Sequence, residues 1–318
     1  MITTARQSAF VAHAPEFDEV TGDCPRLSCL AAVDAHEGPV YFVDENALYF
    51  TTLPRPGVDR TPSVRIKRLA LEEPREVSVL RAEANGANGM APNGAGRLIV
   101  CEQGSRSEPA RISRLDRSTG EDEPVVEGWR GLPFNSPNDV VVASDGAIWF
   151  TDPSYGHLQG FRPEPMIGDF VYRHDPATGQ TVVVADGFDK PNGIAFSPDE
   201  RILYVTDSGA NQEPGSYYVA RPHHIKAFDV VHGRRLAGER LFAVVSPGFP
   251  DGLKVDRDGR VYASSLSGVQ VFDPDGQPLG EIHLPGVVNF CFGGAERDLL
   301  LITTDSAVWA AALAAKGA

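Results

Sequence analysis

The chain has 318 residues, enough to bury a sizeable core, and its 43 acidic against 29 basic side chains give a net charge of −14. That balance excludes nucleic acid and anionic membrane as expected partners, because both would be repelled. Gly (32) and Pro (25) are abundant and spread along the chain, which suits many short strands joined by tight turns rather than a disordered tail.

The N-terminus has no basic start followed by an apolar stretch, so no signal peptide is expected. The longest apolar run, around residues 308–315, is far too short to cross a bilayer. Cys24, Cys29, Cys101 and Cys291 form no C-x-x-C pair and read as free thiols of a reducing compartment. The expectation is a cytoplasmic protein that forms one domain over residues 1–318.

Taken in chain order, the elements repeat one phrase. It opens at Glu37 (EGPVYFVDENALYFTT), Asn88 (NGMAPNGAGRLIVCE) and Asn138 (NDVVVASDGAIWFTD), then at Asn192 (NGIAFSPDERILYVTD), Asp251 (DGLKVDRDGRVYASS) and Asn289 (NFCFGGAERDLLLITT). Each copy is a short apolar run, a turn and a second apolar run. The turns are placed at Glu45-Asn46, Asn93-Gly94, Asp145-Gly146, Pro198-Asp199, Asp258-Gly259 and Gly293-Gly294. Asn and Gly supply the positive φ that tight hairpins need. The runs alternate weakly, which predicts strands buried on both faces. Two further strand-like stretches complete a period, such as 169–175 with 180–186 and 224–230 with 239–245. Four strands per period of about fifty residues, six times over, predict an all-β six-bladed β-propeller. Little chain follows Asn289 and a longer stretch precedes Glu37, so N-terminal strands should complete the last blade and close the ring. Trp129, Trp149 and Trp309 are expected to pack between blades.

Equivalent positions of a propeller ring one channel mouth. The six openers therefore converge as Glu, Asn, Asn, Asn, Asp, Asn. Taken singly, each is an ordinary turn residue. As a set they concentrate oxygen donors with two formal charges, and carboxylates so confined resist ionisation unless a cation joins them. With no His or Cys among them, the donors favour Ca²⁺, then Mg²⁺ or Mn²⁺, over Zn²⁺. Asp152 and Asp207, which end second strands, have two readings: channel contacts or turn caps. Neither a G-x-S-x-G elbow nor a nucleotide-binding P-loop occurs.

These blade phrases, together with NSPNDVV…FTDPSYG and CEQGSR, resemble the gluconolactonase and senescence-marker-protein (regucalcin-like) family, and most of all its bacterial sugar lactonases. The resemblance spans about residues 31–306. It implies one divalent cation held by Glu37, Asn192 and Asp251, with Asn138 as fourth ligand or substrate contact; Ca²⁺ leads, with Mg²⁺, Mn²⁺, Fe²⁺ and Zn²⁺ as alternatives. It implies Asp251 as the catalytic carboxylate and substrate contacts at Asn88, Glu102, Arg106 and Tyr155. That branch commonly carries His where this chain has Gln103, a departure that bears on substrate preference. The expected activity is metal-dependent hydrolysis of a small sugar lactone of the gluconolactone type. The alternatives are a phosphotriesterase or other esterase on the same metal, and a non-catalytic binding propeller.

Overall fold

The computed structural model describes residues 9–57 and 61–318. Six antiparallel sheets follow one another round a central channel. Blade 1 comprises strands Val40–Phe42, Ala47–Thr51, Ile66–Ala70 and Val77–Arg81, from the innermost outward. Blade 2 comprises Ala87–Pro92, Leu98–Glu102, Arg111–Leu115 and Asp122–Val126. Blade 3 comprises Val140–Val142, Ile148–Asp152, Phe170–Asp175 and Gln180–Ala185. Blade 4 comprises Pro191–Phe196, Ile202–Asp207, His224–Val231 and Arg235–Val244. Blade 5 begins with Leu253–Val255, Val261–Ser264, Gly268–Phe272 and Pro278–His283, and blade 6 with Val287–Gly293, Leu299–Thr304 and Ala307–Ala312.

The N-terminal segment finishes the ring. Strand Arg26–Ala32 is the outermost strand of blade 6, with Leu27 opposite Ala311. Phe10–Ala12 adds a fifth strand to blade 5, with Phe10 opposite Ile282, an addition the repeat does not foretell. The second strands of blades 1, 2 and 3 are buried along their whole length, as their unbroken apolar runs require.

The core lies between blades. Six apolar clusters fill the six junctions of neighbouring blades, including the one between blade 6 and blade 1, where Leu48 and Phe50 meet Leu301 and Val308. Trp149 packs between blades 3 and 4, Trp129 between blades 2 and 3, and Trp309 between blades 5 and 6. The four cysteines are free. Two hairpins differ from their sequence reading. In blade 2 the positive φ falls on Gly96 rather than Gly94, and in blade 4 on Glu200 rather than Asp199. Among the described residues no helix is long and apolar enough to cross a membrane.

Candidate active site

The glycine that follows four of the six openers shows why the phrase repeats. A Cβ on Gly38 would lie 2.5 Å from the Asn88 carbonyl oxygen, one on Gly89 2.5 Å from that of Asn138, and one on Gly193 2.2 Å from that of Asp251. These positions are contacts of one innermost strand with the next rather than turns, and only glycine fits. Threonines ending second strands complete the clamp. Thr51 Oγ1 donates to the Asn88 carbonyl at 3.3 Å, Thr151 Oγ1 to that of Asn192 at 2.8 Å, and Thr206 Oγ1 to that of Asp251 at 3.3 Å. Blades 1, 3 and 4 thus pin the opener of the blade that follows.

So held, Glu37, Asn88, Asn138, Asn192 and Asp251 line a single cavity of about 370 Å³, together with Tyr155 and Gln103. The sixth opener, Asn289, stands behind the wall and donates its Nδ2 to Glu37 Oε2 at 2.8 Å. The Gly38 N–H donates to the same oxygen at 3.1 Å. Rim residues include Leu53, Pro54 and the 211–215 loop.

The electrostatics of the cavity are those of crowded acids. Burial, then the Asp251 carboxylate, pushes Glu37 up to about 8. Burial likewise pushes Asp251 up to about 7, against a hydrogen bond from Asn192. Asp139, buried beneath them, is raised by burial and relieved by the ammonium of Lys254. It accepts hydrogen bonds from the N–H groups of Val140 (2.9 Å) and Ile194 (3.3 Å). Asn88 Oδ1 and Asn138 Oδ1 are buried and have no hydrogen-bond partner among the described residues, a costly state for an amide oxygen.

Two buried carboxyl groups whose ionisation is disfavoured, beside orphaned amide oxygens, have the chemistry that would suit a hard divalent cation. Among the described residues no three His, Cys, Asp or Glu side chains gather in metal-binding fashion. The oxygen donors on the cavity wall are carboxyl and amide side chains together, those of Glu37, Asn88, Asn138, Asn192 and Asp251.

Of the expected substrate contacts, Asn88 and Tyr155 line the cavity, while Glu102 and Arg106 do not. Glu102 is buried and committed to Arg111 (2.7 Å), Ser113 (2.5 Å) and Asn85 (2.8 Å). Arg106 reaches outward and donates to the Gly160 carbonyl at 3.2 and 3.3 Å. Alternation explains Glu102: successive strand residues face opposite ways, and it is the next residue, Gln103, that reaches the cavity. Asp152 and Asp207 turn out to be caps. Asp152 accepts from the N–H groups of Asn135 and Ser136, and Asp207 from those of Asp189 and Lys190.

Residue types and spacing alone single out neither Asp139 nor the rim pair His36–Asp305, joined at 2.7 Å. A signal for Asp139 does exist. It stands where the openers of blades 1, 2, 4 and 5 are followed by glycine.

Three known proteins are similar over nearly the whole chain. A gluconolactonase of Zymomonas mobilis is 30% identical over 93% of this chain and 83% of its own. The lactonohydrolase oryL of Aspergillus oryzae is 30% identical over 88% of this chain and 69% of its own. A solved structure of a gluconolactonase from Xanthomonas campestris superposes with a TM-score of 0.81 at 37% identity, covering 98% of this chain and 97% of the other. Residues 35–306 match the family described as SMP-30/Gluconolactonase/LRE-like region, and the chain belongs to that family.

Proposed function

We propose that the protein hydrolyses a neutral sugar lactone of the gluconolactone type to the corresponding aldonic acid, and that it does so with a divalent cation. The observation that carries this reading is the single cavity in which burial disfavours ionisation of Glu37 and Asp251 beside the amide oxygens of Asn88 and Asn138, which have no hydrogen-bond partner among the described residues. The lactone-hydrolysing activities named for the relatives support the substrate class.

Glu37, Asn192 and Asp251 would hold the cation, with Asn138 as fourth ligand or substrate contact; Ca²⁺ best matches these hard oxygens. A cation held there would supply Lewis acidity, polarising a carbonyl and offsetting the negative charge that develops on its oxygen. Asp251 takes a proton from the attacking water, whose oxygen forms the new bond to the lactone carbonyl carbon. The ring C–O bond then breaks, and the proton passes to the departing ring oxygen to leave the hydroxy acid. Asn88, Gln103 and Tyr155 orient the sugar hydroxyls. The amide-rich wall suits such a substrate because amides both donate and accept.

The test is acid release from D-glucono-1,5-lactone followed by pH-stat, alongside a phosphotriester, before and after chelation. Chelator-sensitive turnover of the lactone in preference to the phosphotriester is expected. Preference for the phosphotriester would replace the reading, and undiminished lactone turnover after chelation would remove the cation from it.

A further inference from the structure

Hydrolysis of a lactone turns a neutral ring into an aldonate and a proton. Substrate and product therefore differ by a full charge at the mouth through which both must pass. Among the described residues the cavity is lined by four carboxyl side chains, those of Glu37, Asp251, Asp305 and Glu213, and by no Lys or Arg. The first two are blade openers. A divalent cation held between them would balance their charge, which leaves Asp305 and Glu213 to set the potential at the rim.

Both rim carboxylates are exposed and firmly placed. Asp305 Oδ1 meets His36 Nδ1 at 2.7 Å across the seam of blades 6 and 1, and the His36 carbonyl accepts from Thr303 Oγ1 at 2.6 Å. In the 211–215 loop the N–H groups of Gln212 and Glu213 donate to Ser216 Oγ at 2.9 and 3.0 Å. Glu213 Oε2 accepts from the Tyr218 hydroxyl at 3.2 Å. Cations that flank the rim in sequence are already paired, Arg55 with Asp34 at 2.9 Å and Arg221 with Asp189 at 2.8 Å. The field of Asp305 reaches the openers: burial is the main cause of the raised Asp251, and the Asp305 charge adds to it. Asn211, on the same loop as Glu213, lines the cavity with its Oδ1 buried and without a hydrogen-bond partner among the described residues. The rim thus offers acceptors, which suit the hydroxyl donors of a sugar, and presents like charge to any anion.

We propose that Asp305 and Glu213 make this mouth a charge filter, which admits neutral lactones, turns away lactones that carry a phosphate or a free carboxyl group, and speeds the departure of the aldonate. The filter deepens the lactonase reading above and rests on it for the identity of substrate and product.

The first measurement needs no turnover. Neutral carbamoyl-PROXYL and anionic carboxy-PROXYL, nitroxides of matched size, relax nearby protons in proportion to their local concentration. The Gln159 side-chain amide lines the cavity and is exposed. That of Gln180, in an outer cavity lined by Arg234 and Arg235, is the internal control for the net charge of the whole chain. At pH 8 with Ca²⁺ and about 20 mM salt, where the Debye length is about 20 Å, the anionic probe should relax Gln159 about threefold less than the neutral one. The deficit should vanish in the double variant Glu213→Gln, Asp305→Asn, with Gln180 unchanged. Equal relaxation of Gln159 by the two probes, or a deficit that survives the double variant, would overturn the proposal whatever the protein hydrolyses.

The second measurement is the ratio of kcat/KM for D-glucono-1,5-lactone to that for 6-phospho-D-glucono-1,5-lactone, in which any change of folded fraction cancels. The ratio should fall about tenfold in the double variant, since two rim charges face a phosphate of nearly two. Added salt should lower it in the unaltered chain only, and inhibition by gluconate should tighten in the variant. A ratio indifferent to both the substitutions and salt would also overturn the filter. Absence of turnover of either lactone would instead strike the lactonase reading, and the nitroxide comparison would still decide the filter.

Discussion

A methyl group on Gly193 would sit 2.2 Å from the Asp251 carbonyl oxygen, so Gly193→Ala has to push two innermost strands apart at the cavity. Gly146, at φ 84°, would meet nothing within 4 Å. Gly146→Ala should therefore cost about 1 kcal/mol of backbone strain and leave turnover intact, whereas Gly193→Ala should lower turnover and cation affinity together. Steady-state kinetics and calcium titration of the two variants check this contrast. Asp251→Asn keeps the shape of the side chain and removes its basicity. Turnover should fall by about 10²–10⁴, the usual worth of a general base, with an unchanged circular dichroism spectrum. The pH dependence follows from the raised carboxylates. Glu37 (about 8) and Asp251 (about 7) hold protons in the folded, cation-free protein at pH values where the unfolded chain, titrating near pH 4, has released them. Stability without cation should therefore fall as pH rises from about 4 to 8. Cation affinity should rise over the upper part of the same range, because the cation displaces those protons. Melting temperatures across that range, with chelator and with Ca²⁺, read both trends.

At the scale of elements, the caps and clamps decide how well each opener is aimed. Asp152, pushed up to about 8 by burial, receives two backbone N–H groups at 2.8 and 2.9 Å. Asp152→Ala would leave both donors buried and unpaired, a loss of about 1–3 kcal/mol for each; thermal unfolding should show a clear drop in melting temperature. The hairpins were legible in the sequence because an apolar run, a Gly/Asn turn and a second run constitute a local signal. Which turn residue takes positive φ was less so. In residues 93–97 two glycines compete, and the register of the flanking strands selects Gly96. In blade 4, Glu200 adopts φ 55°, a conformation that carries no mark in its residue type. The 211–215 loop and Leu53-Pro54 at the rim belong to no repeat, so no periodicity could assign them to the cavity.

For the whole molecule, ring closure depends on a strand far from its neighbours in sequence. Arg26–Ala32 pairs with Ala307–Ala312, and the fifth edge strand Phe10–Ala12 covers blade 5. A chain beginning at residue 33 would leave the edge of blade 6 open and strip Leu27, Phe17 and Val20 from its cluster. It should unfold without cooperativity or aggregate through the unpaired edge, as calorimetry and light scattering would record. Rotational pseudo-symmetry is what made the site readable: a shared position in the repeat becomes a shared place in space. For that reason Glu37, Asn88, Asn138, Asn192 and Asp251 could be grouped before any contact was known. Glu102 and Arg106 lie at the end of a second strand and in a loop, where the symmetry argument has no hold, and neither lines the cavity. The central claim, that these blade openers gather round one cation, is tested most directly by calorimetric titration of chelator-treated protein with Ca²⁺. One equivalent per chain, lost in both Glu37→Gln and Asp251→Asn, is the predicted result; full lactonase activity in protein that holds no ion and takes up none would contradict it.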